Sequence, residues 1–413
     1  MNQQTAPSSA PSSPPSPPPR VGIALLATTL VLAFSSLVAL FPSAIAPTLA
    51  DSLGVSTATV GIQVSLIFGG AMLTSLVGGP LTRRYGPCRV SQLALGLLGG
   101  GAALLTLPSL ATFALASLIA GLGYGLTNPS ASLLLFRVTP RHRQGLVFSL
   151  KQTGVPFGGV LAGLLAPALA LAIGWQAALG CLFLVAVIGI LLLQLQRHHW
   201  DRERDPRTPW LTTPLAGLRV VWQRPALRYL ALLSLCFSAI QLSVSAFTVA
   251  LLVEDLGVGL VVAGATMSAV QVFGIIGRVL WGLVGDTLDD RLTTLMGLAC
   301  LSAGSGLAIA TMDADWPRWA MVTVLCVMSL SALGWNGVFM AEITRLAPAE
   351  RVADAAGGCL VLTYSGVLLG LPLLGALHGL FGSYTALFGL LAGLALVGLG
   401  FLLKARRAIA DDR

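Results

Sequence analysis

The chain has 413 residues, 55% hydrophobic and only 10% charged, with a mean hydropathy of +0.86. Soluble domains carry about 25% charged residues, so a water-soluble fold is excluded and a chain made mostly of membrane spans remains. The net charge of +8 follows the topology derived below and does not point to nucleic acid.

Residues 1–19 are nearly all Pro, Ser, Ala, Gln and Thr. That composition buries no core and predicts a disordered tail. It also lacks the basic start and cleavage site of a secretory signal. Charge-free stretches follow, and each span needs ~20 apolar residues. Residues 21–50 predict helix 1 and 52–82 helix 2; 90–136 holds helices 3 and 4, and 152–196 holds helices 5 and 6. Residues 229–253, 256–277, 292–312 and 319–341 predict helices 7 to 10, and 355–403 holds helices 11 and 12. Turns are expected at Pro108-Ser109, at Ile173-Gly174-Trp175 and between His378 and Ser383. The chain thus divides into a tail (1–19), a six-helix half (20–196), a central loop (197–226), a second six-helix half (227–404) and a tail (405–413). Residues 214–222 read as a short amphipathic helix on the membrane surface.

With an even number of spans both termini share one side. Arg83, Arg84, Arg89, Arg137, Arg141, Arg143, the central loop, Arg291, Arg345, Arg351 and Lys404 fall on that side. The opposite loops hold Arg318 alone, against Asp51, Glu254, Asp255, Asp313 and Asp315. The positive-inside rule therefore places both termini in the cytoplasm. Of the 24 basic residues 22 are Arg, a composition that suggests a GC-rich bacterium and hence its inner membrane. Cys88 is read as lying in a loop and the other five cysteines in apolar helices, so no disulfide framework is expected. No metal-ligand spacing, phosphate loop or nucleophile–His–acid set occurs, so no metal, cofactor or enzymatic role is expected.

The halves resemble each other. Leu49-Ala50-Asp51-Ser52-Leu53-Gly54-Val55 matches Leu252-Val253-Glu254-Asp255-Leu256-Gly257-Val258 at an offset of 203, which also pairs Gly79 with Gly282. Arg137-Val138-Thr139-Pro140 matches Arg345-Leu346-Ala347-Pro348 at an offset of 208, which pairs Asn128 with Asn336. Parallel halves imply a pseudo-two-fold axis along the membrane normal and a binding site between the halves near mid-depth.

A charge inside a bilayer persists only if it pairs, snorkels or works. Arg278 lies eight residues before Asp286, or ~12 Å into the membrane at 1.5 Å per residue, and residues 256–285 contain no acid. Lys151 lies about two helical turns into helix 5, before Gln152 and Thr153. The bland readings are snorkelling and, for Arg278, pairing with Glu342 or Asp354. Asn128, beside Tyr124, and Asn336, beside Trp335, are either substrate contacts or helix–helix hydrogen bonds. Gln241 is a similar candidate, with Tyr364 below it.

Twelve spans in two parallel halves, a long central loop, and Gly79-Pro80-Leu81-Thr82-Arg83-Arg84-Tyr85-Gly86 after helix 2 resemble the major facilitator superfamily over about residues 20–404. That loop departs from the family signature, because Arg83 stands where an Asp is usual; the second-half copy, Gly282-Leu283-Val284-Gly285-Asp286, keeps it. Gly277-Arg278-Val279-Leu280-Trp281-Gly282 is similar to helix 8 of monocarboxylate and oxalate–formate-type carriers, and Gly154-Val155-Pro156-Phe157-Gly158-Gly159 partly to the helix 5 motif of antiporters. The resemblance implies an all-α fold of twelve transmembrane helices that works by alternating access, with helices 5 and 8 facing each other across the cavity. Two cations on opposite halves would then make it electropositive and select an anion. Arg278 would bind a carboxylate, Lys151 add a second positive charge, and Gln152, Asn128, Asn336, Gln241, Tyr124, Trp335 and Tyr364 orient the substrate.

The resemblance also implies gating by Gly79, Arg83, Gly86, Gly282, Asp286 and Asp354. Arg83 beside a helix N-terminus is unfavourable, since that end carries about +0.5 charge. Arg83 is therefore expected on Asp354 or Glu350 at the start of helix 11, and Asp286 at the start of helix 5 with Arg143. The expected function is symport or exchange of a small organic anion by a monomer in the lipid bilayer, with a proton as co-transported ion. The alternatives are a drug or metabolite exporter and, remotely, a membrane sensor or intramembrane enzyme.

Overall fold

The computed structural model describes residues 21–55, 57–209 and 215–411. The readings for 1–19, for position 214 and for the last two residues lie outside the described residues. The described residues contain helices and no strand. Among the described residues eleven helices are long and apolar enough to cross a membrane. The twelfth expected span is the 18-residue helix Pro87–Leu104, packed against its neighbours in the first half. In the first half helix 1 is Val21–Ala44, helix 2 Thr57–Tyr85, helix 3 Pro87–Leu104 and helix 4 Leu110–Val138. Helix 5 runs in two pieces, Gln144–Gln152 and Gly154–Ile173, and helix 6 is Trp175–Gln194. In the second half helix 7 is Pro225–Ala250, helix 8 Leu260–Thr287 and helix 9 Arg291–Ala310. Helix 10 runs as Arg318–Ala332 and Trp335–Leu346, followed by helix 11, Val352–Phe381, and helix 12, Tyr384–Asp411.

The reversals between helices 5 and 6 and between helices 11 and 12 fall on Gly174 (φ 84°) and Gly382 (φ 65°). Both are conformations in which a side chain would clash, so glycine sets where the chain turns back. The outer faces of the helices remain apolar and exposed, with Leu171, Val261 and Leu380 among the most open side chains. Such faces suit lipid and would be costly in water.

Contacts among the loops show which of them share an end. Arg137 pairs with Glu203 at 3.1 Å, Arg84 donates to the Thr208 carbonyl at 2.9 Å, and Arg291 donates to the Arg141 carbonyl at 2.9 Å. Arg224 reaches the Leu346 carbonyl at 3.3 Å. The basic loops therefore gather at the end that also carries Val21 and Asp411, the first and last described residues, here called the terminal side. At the other end Asp255 accepts from Ser383 at 3.0 Å and from the Thr385 N–H at 2.8 Å, which ties helix 7 to helix 12.

Each half packs as its own bundle, with helix 1 against helix 5, helix 2 against helix 4 and helix 7 against helix 11. Among the described residues the extensive contacts between halves join helix 2 to 11, helix 4 to 11, and the first piece of helix 5 to helices 8 and 10. The outer piece of helix 5 has no such contact with the second half. The halves are closed together on the terminal side and apart on the other.

Two expectations need correction. Cys88 lies in the first turn of helix 3, fully buried, with its thiol donating to the Leu193 carbonyl at 3.1 Å. The amphipathic part of the central loop is the helix Ala216–Gln223, whose buried face of Ala216, Gly217, Val220 and Val221 packs on helix 11, so that this face covers protein. Gly217 and Gly358 approach so closely that a Cβ on either would strike the other's backbone. An amphipathic stripe has the same pattern whether it covers lipid or protein.

Candidate functional site

Helix 5 carries Lys151 at the end of its first piece, and helix 8 carries Arg278 about two and a half turns before its end. They come from opposite halves and meet below mid-depth where the halves close. Each is only 2% exposed, and neither joins an ion pair among the described residues. Lys151 donates to the Asn128 side-chain carbonyl on helix 4. Arg278 crosses between the halves and donates to the Gln152 backbone carbonyl at 2.5 Å. Its Nε, fully buried, has no partner. Neither Glu342 nor Asp354 reaches Arg278: Glu342 is held by Arg345 at 2.6 Å, and Asp354 by Arg83 and Arg351. Neither cation snorkels to water.

The sequence reading expects these cations to line a cavity, whereas the structure buries them. The cause is the state of the bundle, whose terminal side is packed shut at their level. An aromatic group stands beside them. Tyr124 packs edge-on against Phe68 (5.8 Å between ring centres) and against Tyr364 (6.2 Å), joining helices 2, 4 and 11. Tyr124 lies within electrostatic range of Arg278. The Tyr364 hydroxyl is buried beside Asn128 without completing a hydrogen bond. Lys151, Arg278, Gln152, Asn128, Tyr124 and Tyr364 thus come together. Among the described residues no carboxylate pairs with these two buried cations, so their charge is left uncompensated in a place where that is costly.

The remaining candidates form a second cluster inside the second half. Gln241 on helix 7 accepts from the Trp335 indole N–H at 3.0 Å and from the Asn336 amide at 2.8 Å. Trp335 is fully buried against Phe237 and Phe339. The repeat-related asparagines therefore each bond within their own half.

The gating candidates lie below, on the terminal side. Arg83 pairs with Asp354, and also donates to the Glu350 carbonyl at 3.3 Å. Asp354 packs directly on Gly79, where any Cβ would collide with it. Asp286 accepts from the backbone N–H groups of Gly145 (2.8 Å) and Leu146 (2.7 Å) at the start of helix 5. Its ion-pair partner is Arg291 at 2.9 Å and not the expected Arg143. Arg291 starts helix 9 five residues along the chain, so its side chain arrives from within the same half. Gly282 faces Gly145, where a Cβ would lie 2.9 Å from the Gly145 carbonyl oxygen. Gly86, at φ 92°, opens helix 3, and the Asp201 carboxylate lies against it while accepting from the Cys88 N–H at 2.8 Å.

Sequence reasoning missed three residues here. Ser149, buried with an unpartnered hydroxyl, sits where helix 5 meets Gly282 and Gly337; a lone serine gives no signal. Arg291 was legible only as one more positive-side residue. Pro156 was legible as a backbone fact, because it removes an N–H donor four residues after Gln152.

Comparison with known proteins supplies the family. The Major Facilitator Superfamily model matches residues 24–358. An uncharacterised MFS-type transporter of Mycobacterium tuberculosis is 24% identical over 320 residues, covering 73% of this chain and 66% of that one, so the chain spans about two thirds of that relative's length. The 4-hydroxybenzoate transporter PcaK of Acinetobacter baylyi is 30% identical over 155 residues, covering 37% of this chain and 32% of that one. Among solved structures, a bacterial homologue of the iron transporter ferroportin in an outward-facing state superposes with a TM-score of 0.75 at 17% identity, covering 94% of this chain and 100% of that one. The twelve-helix chain, in two bundles closed around a buried cation pair, belongs to the Major Facilitator Superfamily.

Proposed function

We propose that the protein is a secondary active transporter that moves a small organic anion, a carboxylate, by alternating access. The observation that carries this reading is the burial of Lys151 and Arg278 together, one from each half, with no carboxylate to neutralise them. An anion placed between them cancels a charge that the membrane interior otherwise penalises. It also does so at the junction that must rearrange when the halves rock. The partial likeness to PcaK, named for an aromatic carboxylate, agrees with the aromatic group of Phe68, Tyr124 and Tyr364. By the positive-inside rule the terminal side is the cytoplasm, here of a bacterial inner membrane. The form described is then closed to the cytoplasm and open outward. A monomer suffices for this cycle. A proton is the proposed coupling ion, carried with the acid.

The motif that suggests an exporter, Gly154-Val155-Pro156-Phe157-Gly158-Gly159, is used for packing within the first half: Gly154 and Gly158 face the helix 1 backbone at Thr29 and Ala33. It favours neither direction of transport.

The test is counterflow of labelled benzoate, succinate and formate into proteoliposomes containing the full chain. Arg278→Lys keeps the charge and loses the planar two-pronged donor. It should cut the rate at least about tenfold, the equivalent of ~1.4 kcal/mol, with unchanged thermal stability. Full activity in Arg278→Ala would overturn the reading.

A further inference from the structure

Helix 5 is interrupted at a single place. Its pieces end at Gln152 and restart at Gly154. In a continuous helix the Gln152 carbonyl would accept from the N–H of residue 156. That residue is Pro156, which has none. The sequence therefore leaves one backbone carbonyl without its helical donor, deep in the protein, where an unpaired polar group is costly. The donor that satisfies it comes from the other half, as Arg278 Nη1 at 2.5 Å. Arg278 has no counter-charge, its Nε has no partner, and Lys151 is close enough to repel it. The carbonyl is thus a neutral substitute for an anion, and it holds the guanidinium across the junction of the halves.

We propose that the Gln152 carbonyl, freed by Pro156, is a built-in competitor for the Arg278 guanidinium. In the empty protein it ties helix 8 to helix 5 and helps keep the terminal side closed. An arriving carboxylate takes the guanidinium from it, and so unties the halves. The exchange is favourable because a carboxylate accepts two parallel N–H groups and carries charge, whereas the carbonyl accepts one and is neutral. The carbonyl left behind is hydrated once the terminal side parts and water enters. Pro156 is accordingly a positioning residue: it touches no substrate and acts by leaving an acceptor open. This inference rests on the reading of Arg278 as an anion site and adds how binding there reaches the gate.

The experiment uses the full chain in lipid nanodiscs, with no ligand in the first arm. Pro156→Ala restores the N–H four residues after Gln152, so the helix itself satisfies the carbonyl and Arg278 loses its hold. Backbone hydrogen exchange should then slow in residues 150–158. It should speed up by about tenfold in residues 279–287 and 335–346, as the closed form loses a bond worth one such factor. A general stabilisation of helix 5, with no loss of protection in helices 8 and 10, would overturn the proposal. In the second arm benzoate binding is followed by thermal shift, and Pro156→Ala should bind it about tenfold more tightly for the same reason. Equal affinity in the two proteins would overturn the competition while leaving the anion site standing. If neither protein binds benzoate, succinate or formate, the anion reading falls, and the ligand-free arm still decides whether the carbonyl holds the gate. A third variant, Arg278→Gln, removes both roles. Its amide ends about where the Arg278 Nε stands, short of the Gln152 carbonyl that Nη1 reaches, and it carries no charge, so it should lose protection in helices 8 and 10 and lose benzoate binding. Unchanged protection there would also count against the proposal.

Discussion

Asp286, at the end of helix 8, lays its carboxylate on two backbone N–H groups at the start of helix 5. Arg83, its counterpart at the 203-residue offset, stands at the end of helix 2 and reaches the Asp354 side chain at the start of helix 11. The two junctions occupy equivalent places in the two halves but carry opposite charges. A helix N-terminus offers free donors and a positive end, which an anion uses directly. A cation there must first be given an acceptor. Asp354 supplies it from within the helix, and the position equivalent to Asp354 at the 208-residue offset is Leu146, which contributes only its N–H. The carboxylate junction therefore rests on backbone fixed by the helix. The guanidinium junction rests on a side chain that Arg351 also uses and whose Oδ1 has no partner. Of two related latches, the one with the usual charge should be the stronger.

The largest effect should come from overpacking the closed terminal side itself. Gly337 packs on Ser149 so tightly that a Cβ would overlap its backbone. Gly337→Leu should prevent closure of the terminal side. Overpacking of ~1–3 kcal/mol in a two-state equilibrium should displace it by one to two orders of magnitude. Spin labels at His142 and Leu288 would report a longer separation; an unchanged distance distribution would refute it.

Next is the stronger latch. Asp286→Asn keeps the shape but gives up the charged acceptor and the Arg291 pair. Hydrogen bonds to charged groups contribute about 1.5–3 kcal/mol, so the closed form should lose about tenfold or more in population by the same measurement. The weaker latch follows. Arg83→Asp sets a carboxylate against Asp354, and Arg83→Asp with Asp354→Arg should recover part of the lost counterflow. Recovery stays partial because Arg351 would then face a like charge. An Arg83→Asp effect larger than that of Asp286→Asn would reverse the ranking.

The smallest effect is one of pH. Asp205 ties the central loop to the weaker latch, since its backbone N–H donates to the Arg83 carbonyl at 2.9 Å. The Arg207 backbone N–H and the Thr208 hydroxyl, each at 3.0 Å, hold the Asp205 carboxylate below its ordinary range. A depressed acid contributes stability above the unfolded value of about 4, and this is lost as pH falls through the lower folded value. Cleavage of residues 202–209 by an acid-active protease should rise as the pH falls below about 4, and Asp205→Asn should cleave equally at every pH.

The spans were legible because a bilayer demands about 20 apolar residues per crossing, and the reversals because glycine and proline mark them. Opposite charges at equivalent loops suggested where Arg83 had to find an acceptor. The burial of Lys151 and Arg278 was not legible, because it depends on how tightly the two halves pack on each other, which no single stretch of sequence encodes. Nor was Arg291 as the partner of Asp286, since Arg143 carries the same charge at the start of helix 5, which Asp286 also meets. The docking of Ala216–Gln223 on helix 11 had a signal in hindsight: Gly217 on a short amphipathic face has no use against lipid but permits close approach to Gly358.

The closed terminal side is made largely of glycines facing backbone: Gly282 on Gly145, Gly337 on Ser149, Gly357 on Ser75. Such contacts freeze almost no rotamers when they form, whereas an interlock of long side chains would lose up to about 2 kcal/mol of conformational freedom per side chain. They also expose little apolar surface when they part, so water penalises opening only weakly. A gate surfaced in glycine opens and closes with small entropy changes in either direction. Its balance is then left to the few charged groups around it.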